Sequence, residues 1–291
     1  MNSNKKVKYI LPATTIDMGG FPVKQALPTQ NIQQLDPFLL LHHARAKFNK
    51  DRPAKHQGIG PHPHRGFAPV TFVIEGEVQH RDSWGNNQVA KAGEVQWMYS
   101  GAGIVHSERP TQDLVESGGY QEIVQLWVNS SSNFKKTPPK YHHLSAANMP
   151  LFYSEDESIQ HKLVAGSYNQ LNGAFHPQNE VLIIWSQSKA IGVETFNIPS
   201  DYNSMIYVVK GEVKIKGFGK VDKEHLAILE KEGETIEIEA LQNNALFLLL
   251  SGKPIDEAVT QQGPFVMNTS TEVLEAMRDY QMGKMGVLIE D

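Results

Sequence analysis

A strand–glycine–strand segment occurs twice in this chain. Phe72-Val73-Ile74-Glu75-Gly76-Glu77-Val78 is matched in residue type and order by Tyr207-Val208-Val209-Lys210-Gly211-Glu212-Val213. The offset, from Gly76 to Gly211, is nearly half of the 291 residues. Duplication of one β domain gives such an offset, and 291 residues suffice for two domains of ordinary size.

The remaining periodic segments also read as strands. Thr71 to His80 is rich in β-branched and aromatic residues, and Trp84-Gly85-Asn86-Asn87 follows as a turn signal. Val95, Trp97 and Tyr99 alternate with Glu94, Gln96 and Met98, the period of a half-buried strand. Ile123–Val128, Val181–Trp185, Met205–Ile215 and Ala245–Leu250 continue the series, separated by glycine, asparagine or proline clusters. Short strands at such spacing predict a sandwich or barrel.

One helix is expected at about 270–282. Thr269-Ser270-Thr271-Glu272 has the spacing of a capping box; Val273, Leu274, Met277 and Tyr280 recur at helical intervals, and Gly283 is a natural stop. The fold class is therefore all-β, two units in tandem with a short C-terminal helix. The boundary falls near the Pro138-Pro139 stretch, giving domains 1–137 and 138–291.

Composition narrows the function. A net charge of -5 lacks the basic excess of proteins that grip nucleic acid through phosphates, so direct nucleic-acid binding is not expected. Cysteine is absent, which excludes disulfides, thiolate metal sites and a cysteine nucleophile. Any metal must be held by nitrogen and oxygen. Residues 9–17 after the basic start are too short and polar for a signal core, and Ala245–Leu250 is far short of the ~20 apolar residues that span a bilayer. A cytoplasmic protein with no membrane association is expected.

Two of the 12 histidines stand in Gly60-Pro61-His62-Pro63-His64-Arg65-Gly66-Phe67. Residues i and i+2 of a strand face the same side, so His62 and His64 project together. After a predicted hairpin comes Gly101-Ala102-Gly103-Ile104-Val105-His106-Ser107-Glu108, whose His106 and Glu108 form a second same-face pair. Three imidazoles and one carboxylate suit a single divalent iron, nickel, manganese, cobalt or zinc ion. Four protein ligands on a six-coordinate ion leave two positions open, as in catalytic sites. Gly101 and Gly103 permit the tight turn that returns His106 to the barrel mouth.

The other histidines are weaker candidates. Adjacent strand residues face opposite ways, so neither His42-His43 nor His142-His143 makes a chelating couple. His80-Arg81-Asp82 reads as a solvated strand edge, His56 as an entrance residue at most, and Arg65 as structural. In the second copy, the shift of 135 carries His62 and His64 onto Asn197 and Pro199, and the later stretch leads to Leu246, Phe247 and Leu248. No metal is expected there.

Pro61-His62-Pro63-His64-Arg65-Gly66-Phe67, Glu75-Gly76-Glu77-Val78-Gln79-His80-Arg81-Asp82-Ser83, Val95-Gln96-Trp97-Met98 and Gly103-Ile104-Val105-His106-Ser107-Glu108 resemble the signature blocks of the pirins, bicupins of the cupin superfamily. Leu35-Asp36-Pro37-Phe38-Leu39-Leu40-Leu41 and Gly263-Pro264-Phe265-Val266-Met267-Asn268-Thr269 extend the likeness over nearly the whole chain. The resemblance implies two cupin barrels, with Fe(II) held in the N-terminal one by His62, His64, His106 and Glu108. It implies two activities: a quercetin 2,3-dioxygenase acting on a flavonol with O2, or a metal-dependent regulator that binds a protein partner. Ala68 stands where pirins often carry a glutamate, so Glu108 would serve as ligand, as catalytic base, or as both.

Overall fold

The computed structural model describes residues 3–18 and 21–290. Met1 and Asn2, which begin the basic N-terminal segment, lie outside the described residues. Among the described residues no helix is long and apolar enough to cross a membrane.

The chain forms two compact units, both discontinuous. One gathers the chain up to Ile16, Lys24–Pro37 and Ala147–Ile255; the other gathers Asp17–Val23, Phe38–Ala146 and Asp256 onward. This differs from a single cut between 137 and 138. The crossing falls after Ala146, the first strand belongs with the second copy, and the C-terminal helix belongs with the first. The pairings responsible join residues more than two hundred positions apart, such as Val7 with Leu229, which local pattern cannot reveal.

The barrel of the unit holding the two histidine pairs is built from nine strands. They are β1 (Phe38–Lys47), β2 (Ile59–His64), β3 (Phe67–Glu75), β4 (Glu77–Asp82), β5 (Asn87–Lys91), β6 (Val95–Tyr99), β7 (Ile104–Arg109), β8 (Tyr120–Asn129) and β9 (Lys140–Leu144). One sheet contains the run β9-β6-β3-β8-β1 and the other is β2-β7-β4-β5. Phe38, Leu41, Phe72, Trp97 and Leu126 lie fully buried in this unit.

The other unit repeats the plan. The strands that do so are β10 (Val181–Ser188), β11 (Gly192–Asn197), β12 (Asn203–Lys210), β13 (Glu212–Ile215), β14 (Gly219–Asp222), β15 (His225–Leu229), β16 (Thr235–Ala240) and β17 (Leu246–Gly252). The order β15-β12-β17-β10 answers β6-β3-β8-β1, and β11-β16-β13-β14 answers β2-β7-β4-β5. Gly76 and Gly211, at φ 72° and 74°, break β3 from β4 and β12 from β13 in the same way. The duplication is thus visible strand by strand.

Two helices accompany the first unit: α1 (Gln112–Ser117), which the sequence pattern does not announce, and α2 (Ser270–Gln281). Thr269 caps α2 through its hydroxyl and the Glu272 N–H, and the Glu272 carboxylate accepts from the Asn268 N–H. The buried stripe is Val273 and Ala276 with Met277 beside them, packed on Val105, Phe265, Met267 and Met285. Leu274, expected on that stripe, is 63% exposed.

Candidate metal centre

The prolines of β2 explain its conformation. Alternating Pro61 and Pro63 with His62 and His64 fixes φ and removes two ladder donors, which suits only an edge strand. β2 is the edge of its sheet. Its partner β7 leaves a turn in which Gly101 and Gly103 hold φ values of 46° and 125°. A Cβ on Gly101 would stand 2.0 Å from the Thr137 carbonyl oxygen, so only glycine fits.

The register sets His106 opposite His62 and Ile104 opposite His64. Ring centroids lie 4.4 Å apart for His62–His106, 4.7 Å for His62–His64 and 4.9 Å for His64–His106. One nitrogen from each ring falls within 4.8 Å of the other two. His64 and His106 are almost fully buried. Burial first, then the neighbouring imidazoles, hold both well below the usual histidine range, so both are neutral with a lone pair to give.

The hydrogen bonds say which nitrogen is free. His62 Nδ1 donates to the Gly60 carbonyl at 2.8 Å, leaving Nε2. His64 Nδ1 and His106 Nε2 are buried with no hydrogen-bond partner. Two orphaned buried nitrogens are costly unless something else satisfies them, and a cation does so. The residues therefore fit a divalent metal by donor type as well as by position.

Glu108 is placed differently. A register shift separates it from His106, and it does not join the three-imidazole cluster. Its carboxylate accepts from Thr71 Oγ1 at 3.1 Å and from Gln125 Nε2 at 2.8 Å. Trp127 Nε1 in turn donates to Gln125 Oε1 at 3.2 Å. Thr71, Gln125 and Trp127 therefore form the carboxylate's support, and no local motif marks them.

Glu108 and Gln125 also form a polar wall of a cavity of about 600 Å³, within the ~300–1,000 Å³ usual for small-molecule sites. Phe21, Val23, Phe48 and Ile123 supply apolar walls, and His42 and His56 line it too. The three clustered histidines do not line it; Glu108, two residues past His106 on β7, does. A cavity of about 690 Å³ in the other unit, lined by Tyr168, Tyr202 and Glu180, contains none of the four candidate residues.

One expectation is corrected. His80 and Asp82, read as a solvated edge, are 2% and 3% exposed. They follow Val78 on the inward phase of β4, and the sheet covers them. His80 Nε2 lies 3.0 Å from Asp82 Oδ2, and His80 Nδ1 lies 3.3 Å from His106 Nδ1. Burial pushes the Asp82 carboxyl up, yet hydrogen bonds from His80 and Asn86 more than offset it and leave it below the usual range. Arg65 faces away and grips Asp279 of α2 with both terminal nitrogens at 3.1 Å. His43 pairs with Glu122 and His143 with Glu94.

In the second copy the register identifies the equivalent inward positions. Ile236 lies opposite Phe196 and Ile238 opposite Glu194, as Ile104 and His106 lie opposite His64 and His62. Glu194, Phe196, Ile238 and Ala240 thus stand where His62, His64, His106 and Glu108 stand in the first. These differ from the positions the 135-residue shift indicates, because loop lengths between strands differ. Phe196, Ile238 and Ala240 belong to a continuous apolar core and offer no donor atom.

Two cupin barrels, with one histidine cluster found among the described residues, define the class of protein as a bicupin with a candidate metal centre. The family models Pirin and Pirin C-terminal cupin domain match residues 20–128 and 188–286. A pirin-like protein of Solanum lycopersicum is 33% identical over 96% of this chain and 92% of its own. A crystal structure of quercetin 2,3-dioxygenase from Acinetobacter baumannii superposes with a TM-score of 0.90 at 34% identity, covering 99% of this chain and 100% of that one. A bacterial pirin from Escherichia coli, solved in complex with nickel(II), shares the fold at a TM-score of 0.67 and 22% identity, over 84% of this chain and 99% of its own. The chain belongs to the pirin family.

Proposed function

We propose that the protein is a metal-dependent dioxygenase that opens the ring of flavonols such as quercetin. The observation that carries the reading is the pairing, two residues apart on β7, of a member of the three-imidazole cluster, His106, with Glu108, which lines a half-apolar cavity of small-molecule size. The Acinetobacter baumannii relative, named a quercetin 2,3-dioxygenase, supports the substrate class. His62, His64 and His106 would hold one divalent ion, iron before nickel, manganese, cobalt or zinc, with Glu108 as fourth ligand, as base, or as both.

The chemistry such an ion supplies is Lewis acidity toward the flavonol 3-hydroxyl. The chain's own residues do the rest. Glu108, fixed by Thr71 and Gln125, presents a carboxylate oxygen to the cavity and receives the hydroxyl proton. Phe21, Phe48 and Ile123 pack the flat rings and displace water, which strengthens the electrostatics of the wall. The electron-rich anion then meets oxygen, and the ring opens with loss of carbon monoxide. Anaerobic loading with iron(II), then quercetin and air, tests this by flavonol absorbance and carbon monoxide release. Metallated protein that leaves quercetin untouched would end the proposal.

A further inference from the structure

The block Glu75 to Ser83 contributes no ligand to the centre, yet two of its residues touch it indirectly. Asp82 is an acceptor on every side. Its Oδ1 takes the backbone N–H groups of Trp84 and Asn86 at 2.9 and 3.1 Å, and its Oδ2 takes Asn86 Nδ2 at 2.8 Å. The fourth neighbour, His80 Nε2 at 3.0 Å, must therefore carry a hydrogen.

That requirement propagates. As the Nε2–H tautomer, the His80 ring offers only a lone pair at Nδ1. His106 Nδ1, 3.3 Å away, must then be the donor. The lone pair of His106 is left on Nε2, the buried nitrogen without a hydrogen-bond partner. Turning the His80 ring over would forfeit both bonds. Tyr141, stacked on it at 4.2 Å and 15°, leaves the ring little room to tilt.

We infer that Asp82 and His80 are positioning residues that fix the tautomer and orientation of His106, and so set the affinity of the centre for its metal. The inference rests on the reading that the three imidazoles hold a metal. It goes beyond that reading by assigning a function to a pair that touches neither ion nor substrate. Among the three imidazoles the supports differ in kind. His62 leans on its own strand's Gly60 carbonyl, and the Pro264 carbonyl faces His64. His106 alone leans on side chains from β4, so the turn at 82–86 is coupled to the metal site. Outer partners of this sort are worth ~10–100-fold in metal affinity.

The test uses the full-length protein and nickel(II). First, the imidazole nitrogen NMR spectrum of metal-free unmodified protein is read for tautomers: His106 should be protonated on Nδ1 and His80 on Nε2. Then nickel is titrated against a competing chelator at pH 7. His80→Phe, which keeps the stack on Tyr141, should bind nickel ~10–100-fold more weakly. His80→Gln, whose amide can accept from His106 and donate to Asp82, should stay close to the unmodified protein. His106 protonated on Nε2, or His80→Phe with undiminished affinity, overturns the inference. If His80→Phe does not fold, the tautomer spectrum decides alone. Unmodified protein that binds no nickel overturns the metal reading and this inference with it, a failure told apart by that first titration.

Discussion

His62 and His106 lie directly across from one another on paired antiparallel strands, with ring centroids 4.4 Å apart. Neighbouring strands sit under 5 Å apart, so opposed residues are the closest same-face pair a sheet offers. His64 completes the triangle from the same strand as His62. Losing either member of the opposed pair leaves two imidazoles and at most one carboxylate, a donor set too weak to keep nickel through dilution. His106→Ala should abolish nickel retention through gel filtration, with near-ultraviolet circular dichroism of the metal-free protein unchanged.

Gln125 and Thr71 hold Glu108 by both carboxylate oxygens. Gln125→Leu removes one charge-assisted bond, worth ~1.5–3 kcal/mol, and lets the carboxylate swing. Flavonol turnover by the iron-loaded variant should fall by about tenfold or more, the factor that ~1.4 kcal/mol represents. Nickel affinity should change less than in His106→Ala. A variant with full turnover would show that the carboxylate's placement is immaterial.

Lys135 is buried and donates to the Gly66 carbonyl at 2.7 Å, Asn129 Oδ1 at 2.7 Å and the Val266 carbonyl at 3.0 Å. Lys135→Met fills the space but strands three acceptors. Leaving buried acceptors unsatisfied costs ~1–3 kcal/mol, and chemical denaturation of the metal-free protein should register it. Gly66 follows the His64-Arg65 pair, so nickel affinity should fall in the same variant.

Burial pulls His42 down to about 4, against 6.5 for an exposed histidine. The folded form therefore refuses a proton that the unfolded chain accepts below 6.5. This contribution is complete above that pH and is lost as pH falls toward 4. At pH 5 the loss has reached ~2 kcal/mol. Metal-free protein should lose stability from pH 7 to pH 5, and His42→Gln should lose less by about that amount. Equal losses would place the titration elsewhere.

Much of this centre was readable in advance. Proline alternating with histidine specifies an edge strand with two same-face imidazoles, and two glycines specify the turn that returns His106. The repeat around Gly76 and Gly211 exposes the duplication. Other features depend on tertiary neighbours. His80 looks like a strand end because nothing local says that Tyr141 stacks on it. Gln125 and Thr71 are ordinary strand residues until Glu108 faces them. The sides taken by residues 7–12 and by α2 depend on pairings across almost the full chain. Leu274 illustrates a subtler limit: helical spacing alone did not select Ala276 over Leu274 for the buried stripe.

The central claim is that His62, His64 and His106, with Glu108, hold one ion. Anomalous diffraction from nickel-soaked crystals of the unmodified protein addresses it most directly. The account predicts one strong peak per chain, bonded to the three imidazoles and to the Glu108 carboxylate. No peak among those side chains, or the dominant peak in the second barrel near Glu194, would contradict it.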